Sequence, residues 1–241
     1  MMNVYAGTQI SHKDVNVVDT NKELKFITIG DPQINSDTLE GVERLKQVVR
    51  FANNSSVDFV LFEGDMTGDG TNKSNDIVKG ILKDLKKPYY VVVGNHDIYI
   101  SSKVFESYYG PMEHIEHVNG YQLLFIGIND EKDENGDAIK LNWSFDFSKA
   151  DKNAPTLVFI HGPVVSIPTG CIYCRMQDNI IEYGYSMMPE LQKFTNLIGV
   201  YSGHVHYDSN RMVNGIRYVT VNGLINIIVY GIPLAHPSDK V

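Results

Sequence analysis

Residues 24–33 read LKFITIGDPQ, a short apolar and β-branched run that stops at a glycine and passes at once into Asp31, Pro32 and Gln33. Hydrophobic side chains occupy both parities of Leu24 to Ile29, so the run reads as a strand buried on both faces. Further along, Leu39, Val42, Leu45, Val48, Val49 and Ala52 recur at three- and four-residue spacing and predict a helix capped by Ser36 or Asp37. Val57–Phe62 is a second strand. Ile77, Ile81, Leu82 and Leu85 mark a second helix, which Pro88 ends, and Tyr89–Val93 is a third strand. This β-α-β-α-β rhythm predicts parallel strands joined by right-handed crossovers.

Downstream the pattern changes. Ile115–Val118 and Tyr121–Ile128 flank Asn119-Gly120, a two-residue hairpin turn, and Asn214-Gly215 joins Arg211–Val213 to Ile216–Val221 with the same chemistry. Thr156–Ile160 and Leu197–Ser202 read as further strands. Parallel and antiparallel pairing together predict an α/β fold of two packed mixed sheets with helices outside. Residues 23–241 are read as one domain, preceded by an N-terminal arm or edge strand over 1–22.

The 241 residues carry 21 basic and 29 acidic side chains, a formal charge of −8, with 43% hydrophobic and 21% charged residues. That composition is globular and excludes collagen, coiled-coil and disordered classes. Excess negative charge repels phosphate backbones and argues against nucleic-acid coating. The longest apolar stretch, Leu224 to Ala235, falls short of a membrane span and is interrupted by Asn226 and Gly231. Two cysteines rule out a disulfide framework, and the first twenty residues lack a leader pattern, so the expected location is cytoplasmic.

The chemistry sits where the strands end. The first runs into Gly30-Asp31-Pro32-Gln33, the second into Gly64-Asp65, the third into Gly94-Asn95-His96-Asp97; Thr156–Ile160 is followed by His161, and Leu197–Ser202 by Gly203-His204-Val205-His206. Ligands of open α/β sheets bind beyond the carboxyl ends of strands, so one edge receives carboxylates, an amide and imidazoles, the donors that hold divalent cations. Gly64-Asp65 alone reads as a turn or helix cap, Gly94-Asn95-His96-Asp97 alone is evenly balanced, and the paired imidazoles of His204 and His206 point to metal; the ordered set together does not read as structural.

In that order and spacing the set resembles the calcineurin-like metallophosphoesterases, over Phe26 to about Val221. The resemblance implies a four-layer α-β-β-α sandwich holding two divalent ions, with manganese foremost and Fe, Zn, Mg or Ni as alternatives. It implies that Asp31 and His206 hold the first ion with Gln33 as a third ligand, that Asp65 bridges both, and that Asn95, His161 and His204 hold the second. It further implies hydrolysis of a phosphate mono- or diester, the diester slightly favoured, by a metal-bridging hydroxide. His96 would act as general acid, Asp97 would orient it, and Asn95 would help place a phosphate oxygen. The expected partner is a small phosphorylated substrate. Gln33 departs from the family's usual histidine; its neutral amide oxygen suits harder ions and reaches the metal directly or through water. A degenerate metal-binding or scaffold protein is the alternative reading, resting on Gln33 alone.

Other features are read as structural. Cys171 and Cys174 form an isolated C-x-x-C loop pair, and residues 131–142 resemble a calcium loop but carry Asn142 where glutamate is needed, so an acidic loop is expected. Tyr108, Tyr109, Tyr183 and Tyr185 are read as packing, with a substrate pocket as the other possibility; His12, His114, His117 and His236 match no motif. The loops Met66–Ser74, Ile98–Lys103 and Val164–Met176 are expected to form the specificity rim.

Overall fold

Phe26 and Ile27 are neighbours in sequence and both fully buried, yet they belong to different cores. Alternate side chains of a strand point to opposite faces, and a strand apolar at both parities must therefore be covered on both sides. The computed structural model describes residues 23–39, 41–132, 138–167, 186–223 and 228–233. The expected N-terminal arm, Cys171, Cys174, Tyr183, Tyr185, His12 and His236 lie outside them.

Strands β1 (Glu23–Ile29), β2 (Phe59–Phe62) and β3 (Tyr89–Val91) pair in parallel, and β12 (Ile228–Pro233) joins β1 antiparallel, giving the order β12-β1-β2-β3. The second sheet has the order β10-β11-β9-β8-β5-β4. Its strands are β4 (His114–Val118), β5 (Tyr121–Phe125), β8 (Thr156–Phe159), β9 (Leu197–Ser202), β10 (Ser209–Val213) and β11 (Ile216–Thr220). The β5, β8, β9 and β11 neighbours run parallel, with an antiparallel strand at each edge.

Between the sheets Phe26 stacks on Phe59 at 5.0 Å and meets Tyr201 edge-on at 5.3 Å, with Leu123, Phe125, Phe159 and Val219 closing the layer. Ile27, Ile29, Val60 and Phe62 face the other way, onto Leu45, Val48 and Val49 of α1 (Val42–Asn53) and Val78 and Leu82 of α2 (Asn72–Leu82). The outer face of the second sheet, with Leu124, Val158 and Val200, is covered by Phe147, Leu191 and Phe194, Leu191 lying in the short helix α4 (Met188–Leu191). This is the predicted layered α/β sandwich. Both predicted hairpins are present, with positive φ at both turn residues: 50° and 85° at Asn119 and Gly120, 52° and 79° at Asn214 and Gly215.

Four local readings change. The first helix is capped by Gly41 at φ 79° and begins at Val42. Ser36 and Asp37 belong to a preceding turn in which Asn35 Oδ1 accepts from the Asp37 amide at 2.8 Å, leaving Leu39 exposed outside the helix. Ser102–Tyr109 forms a helix, α3, capped by Ser101. It docks on α2 through Tyr109 Oη to Asn75 Oδ1 (2.8 Å) and Tyr108 Oη to Asp76 Oδ1 (2.8 Å), so both tyrosines pack helices together. The flanks of the acidic segment, β6 (Gly127–Lys132) and β7 (Ala138–Ser144), pair as an antiparallel ribbon, with 133–137 outside the described residues. Finally, part of the apolar stretch near the C-terminus supplies β12.

Candidate metal centre

β1, β2 and β3 in one sheet and β8 and β9 in the other end at the same edge of the sandwich, and the segments beyond them interlock. The His204 amide donates to both carboxylate oxygens of Asp31 (3.1 and 3.0 Å), the Gly203 amide to the His161 carbonyl (2.9 Å), and His161 Nδ1 lies 2.7 Å from the Glu63 carbonyl. Two sheets are thereby locked together at the point where their polar residues emerge.

The backbone there is unusual. Asp31 (φ 43°), Gln33 (43°), Asp65 (51°), His204 (69°) and His206 (50°) adopt left-handed conformations, as five of the seven residues expected to ligate metal. Such conformations cost non-glycine residues roughly 1–3 kcal/mol each and gather at functional sites. Two glycines let the pieces close up. A Cβ on Gly64 would lie 2.5 Å from His161 Nδ1, and one on Gly203 would lie 2.6 Å from Asp31 Oδ2.

Asp65, His161 and His204 form a buried cluster whose ligand atoms all lie within 4.8 Å of one another. His161 Nε2 sits 3.0 Å from His204 Nδ1, 3.1 Å from Asn95 Oδ1 and 3.4 Å from Asp65 Oδ2. The Glu63 carbonyl can only accept, so His161 carries its proton on Nδ1 and, when neutral, turns the Nε2 lone pair toward those three atoms. An imidazole lone pair, a second imidazole nitrogen, an amide oxygen and a carboxylate aimed at one point are a donor set for a divalent cation. The residues present fit the ion.

The electrostatics agree. Burial lowers the basicity of His161, but Asp65 and Asp31 outweigh it and raise the group to about 10. Burial raises the Asp65 carboxyl, but His161 and His96 hold it below the carboxylate range. His204, buried beside His161, is pushed down to about 3 and stands neutral, ready to ligate. The field that retains a proton on His161 is one that retains a metal cation.

A second group of donors lies beside the first. His206 Nε2 is 3.4 Å from Asp31 Oδ1, and its side chain is 38% exposed whereas that of Asp31 is fully buried. Gln33 Nε2 lies 3.3 Å from Asp65 Oδ2. Asp31 and His206 thus meet in a more open arrangement than the buried cluster, and Gln33 turns its amide nitrogen toward Asp65.

His96 stands at the rim, its amide donating to Asp65 Oδ1 (2.9 Å), its Nδ1 2.9 Å from the Gly68 carbonyl and its Nε2 3.9 Å from Asp65 Oδ2. The Asp97 carboxylate turns inward and accepts from the amides of Gly94 (2.9 Å) and Thr67 (3.2 Å). It braces the two loops that carry Asn95 and Gly68, and burial raises its acid to about 8. Sequence reading passed over Glu63, whose side chain is fully buried beneath the site and accepts from Thr28 Oγ1 at 2.9 Å. Burial raises its acid to about 8, so the neutral form prevails near pH 7. A charged residue closing the wholly apolar strand Phe59–Phe62 was the available signal. Tyr99, against His96, lies in the Ile98–Lys103 segment expected at the specificity rim.

The profile of the calcineurin-like phosphoesterases matches residues 24–208, which include every residue named at this edge. The chain belongs to that family. Calcineurin-like phosphoesterases are metal-dependent hydrolases, and the buried Asp65–His161–His204 cluster is positioned for that chemistry.

Among the family's curated members, the chain is 28% identical over 172 residues to a "Probable glycerophosphodiester phosphodiesterase" of Arcobacter nitrofigilis, covering 68% of this chain and 62% of the relative. It is 24% identical to a "Probable cyclic nucleotide phosphodiesterase" of Fibrobacter succinogenes, covering 90% and 88%. The chain therefore spans less than two thirds of the first relative's length. Among solved structures, a dimetal phosphatase from Danio rerio superposes with TM-score 0.62 at 16% identity, covering 88% of this chain and 97% of that one. A purple acid phosphatase from yellow lupin gives 0.57 at 14%, covering 90% and 46%; both share the fold. No helix among the described residues is long and apolar enough to cross a membrane.

Proposed function

We propose that the protein hydrolyses a phosphodiester with two divalent ions, Asp65, Asn95, His161 and His204 holding one and Asp31, His206, Asp65 and Gln33 the other. The observation that carries this reading is the convergence of His161 Nε2, His204 Nδ1, Asn95 Oδ1 and Asp65 Oδ2 on one point. When bound, such ions make water nucleophilic at neutral pH and neutralise charge building on the phosphoryl oxygens.

The chain's own residues do the rest. Asp31 and Asp65 supply the negative charge without which two neighbouring cations would repel strongly. Asn95 serves as ligand and helps set a phosphate oxygen. Donation of its Nδ1–H to the Gly68 carbonyl aims the Nε2 of His96 outward, and a second proton carried on Nε2 passes to the departing alkoxide. Asp97 keeps that arrangement in place through the Gly94 and Thr67 amides. A diester is favoured because the curated relatives named above are described as diesterases. Manganese is favoured because the neutral oxygen of Gln33 suits a harder ion. A cytoplasmic location accords with only two cysteines in 241 residues.

Elemental analysis of the purified protein, then a matrix of metals against chromogenic mono- and diesters, tests the reading. Turnover with Mn²⁺, its loss on chelation and a diester preference are expected. Metal binding without turnover of any ester would instead identify a scaffold of this fold.

A further inference from the structure

Five large hydrophobic side chains are strongly exposed among the described residues, and two of them, Tyr99 (53%) and Ile100 (59%), are consecutive and stand beside His96. The Tyr99 ring lies 4.6 Å from the His96 ring, inclined by 48°, and its hydroxyl is 3.5 Å from Nε2. His96 Nε2 thus has the buried carboxylate of Asp65 at 3.9 Å and the half-exposed Tyr99 as neighbours. The turn carrying the pair is held from below: His96–Ile98 forms a single 3₁₀ turn, and Gly70 packs so closely that a Cβ there would come within 2.9 Å of the His96 carbonyl and 3.3 Å of the Ile100 amide. Exposing a tyrosine and an isoleucine on a braced turn leaves apolar area in water that folding does not require.

Resting on the hydrolytic reading, we infer that Tyr99, with Ile100 as its flank, is the leaving-group subsite and selects phosphoesters whose departing alcohol bears a planar ring. The group that protonates the departing oxygen fixes where that alcohol leaves, and the Tyr99 ring lies against that group. A flat ring stacks on that face and buries it. A glycerol-like alcohol has no face to offer and gains little there.

The test uses the full chain loaded with Mn²⁺ and two diesters, adenosine 3′,5′-cyclic phosphate and glycerophosphoethanolamine. Tyr99→Ala is expected to raise KM for the nucleotide about tenfold, the effect of losing one base-on-aromatic stack, and to raise KM for the glycerol diester several-fold less. Tyr99→Phe, which keeps the ring, should retain the wild-type nucleotide KM. Calorimetric binding of adenosine monophosphate should weaken about tenfold in Tyr99→Ala only. Equal losses on both esters, an unchanged nucleotide KM in Tyr99→Ala, or a Tyr99→Phe variant as impaired as Tyr99→Ala would overturn the subsite. A wild type that binds adenosine monophosphate through Tyr99 but cleaves neither ester would support the subsite and sink the hydrolytic reading instead.

Discussion

The Nε2 of His161 and the Nδ1 of His204 face each other at 3.0 Å, beneath two sheets and beside a buried carboxylate. The Glu63 carbonyl has already claimed the other nitrogen of His161, so this contact either traps a proton or opens around a cation. Metal and proton therefore compete for one place.

The first consequence is a stability gain on metal binding. A divalent ion at about 100-fold its Kd should stabilise the fold by about 2.7 kcal/mol, roughly 5–10 °C in Tm for a chain of this size. Differential scanning calorimetry with Mn²⁺ and after chelation measures it. Asp65→Asn should abolish the difference; a metal-dependent shift that survives this substitution would place the ion elsewhere.

Asp65 and His96 should separate binding from chemistry. Asp65→Asn is expected to lose both ions and all turnover. His96→Ala should keep full metal content while kcat falls about 10²- to 10⁴-fold, the usual contribution of general acid catalysis, most severely for poor leaving groups. Metal content by mass spectrometry decides: equal metal loss in both variants contradicts the separation.

Gln33 is expected to set the balance between the two proposed ions. His206 is partly exposed and Gln33 neutral, so the ion held with Asp31 should be the weaker. Gln33→His should tighten that site at least about tenfold and shift its preference toward zinc, while Gln33→Ala should leave one tightly held equivalent. Titration calorimetry on metal-stripped protein reads both; two equal sites in the wild type would contradict the asymmetry.

Away from the centre, His114 gives a pH signature. Its ring stacks on Phe125 at 4.4 Å, and burial lowers its basicity from the ordinary 6.5 to about 4. The unfolded chain therefore binds the extra proton first, and stability is lost as pH falls from 6.5 to 4, by up to about 3 kcal/mol. His114→Phe should lose less by about that amount over the same interval. Urea unfolding of both proteins at pH 7 and pH 4.5 measures it; parallel losses would rule out this histidine.

Much of this was legible in the residues. A strand apolar at both parities, such as Leu24 to Ile29, requires cover on both faces, and Asn-Gly between apolar runs requires a tight hairpin, so layers and hairpins followed directly. The donors at the site were legible because glycine, carboxylate and imidazole at strand ends serve few other purposes together. What escaped depended on tertiary context. Gly41 and the Asn35 turn moved the start of α1, and β12 is a strand only because β1 lies beside it. Glu63 acts largely through a carbonyl, which no residue type announces. Tyr99 falls in the Ile98–Lys103 segment expected at the rim, but that its ring packs against His96 shows only in the fold.

The left-handed backbone at Asp31, Gln33, Asp65, His204 and His206 also bears on engineering. Glycine adopts that conformation freely, so laboratory evolution rewarding only heat resistance in metal-free buffer would drift toward glycine at these positions. Each step would relax the chain while erasing a donor. Selection on this scaffold has to couple thermal challenge to turnover, or the sturdiest survivors will be inert.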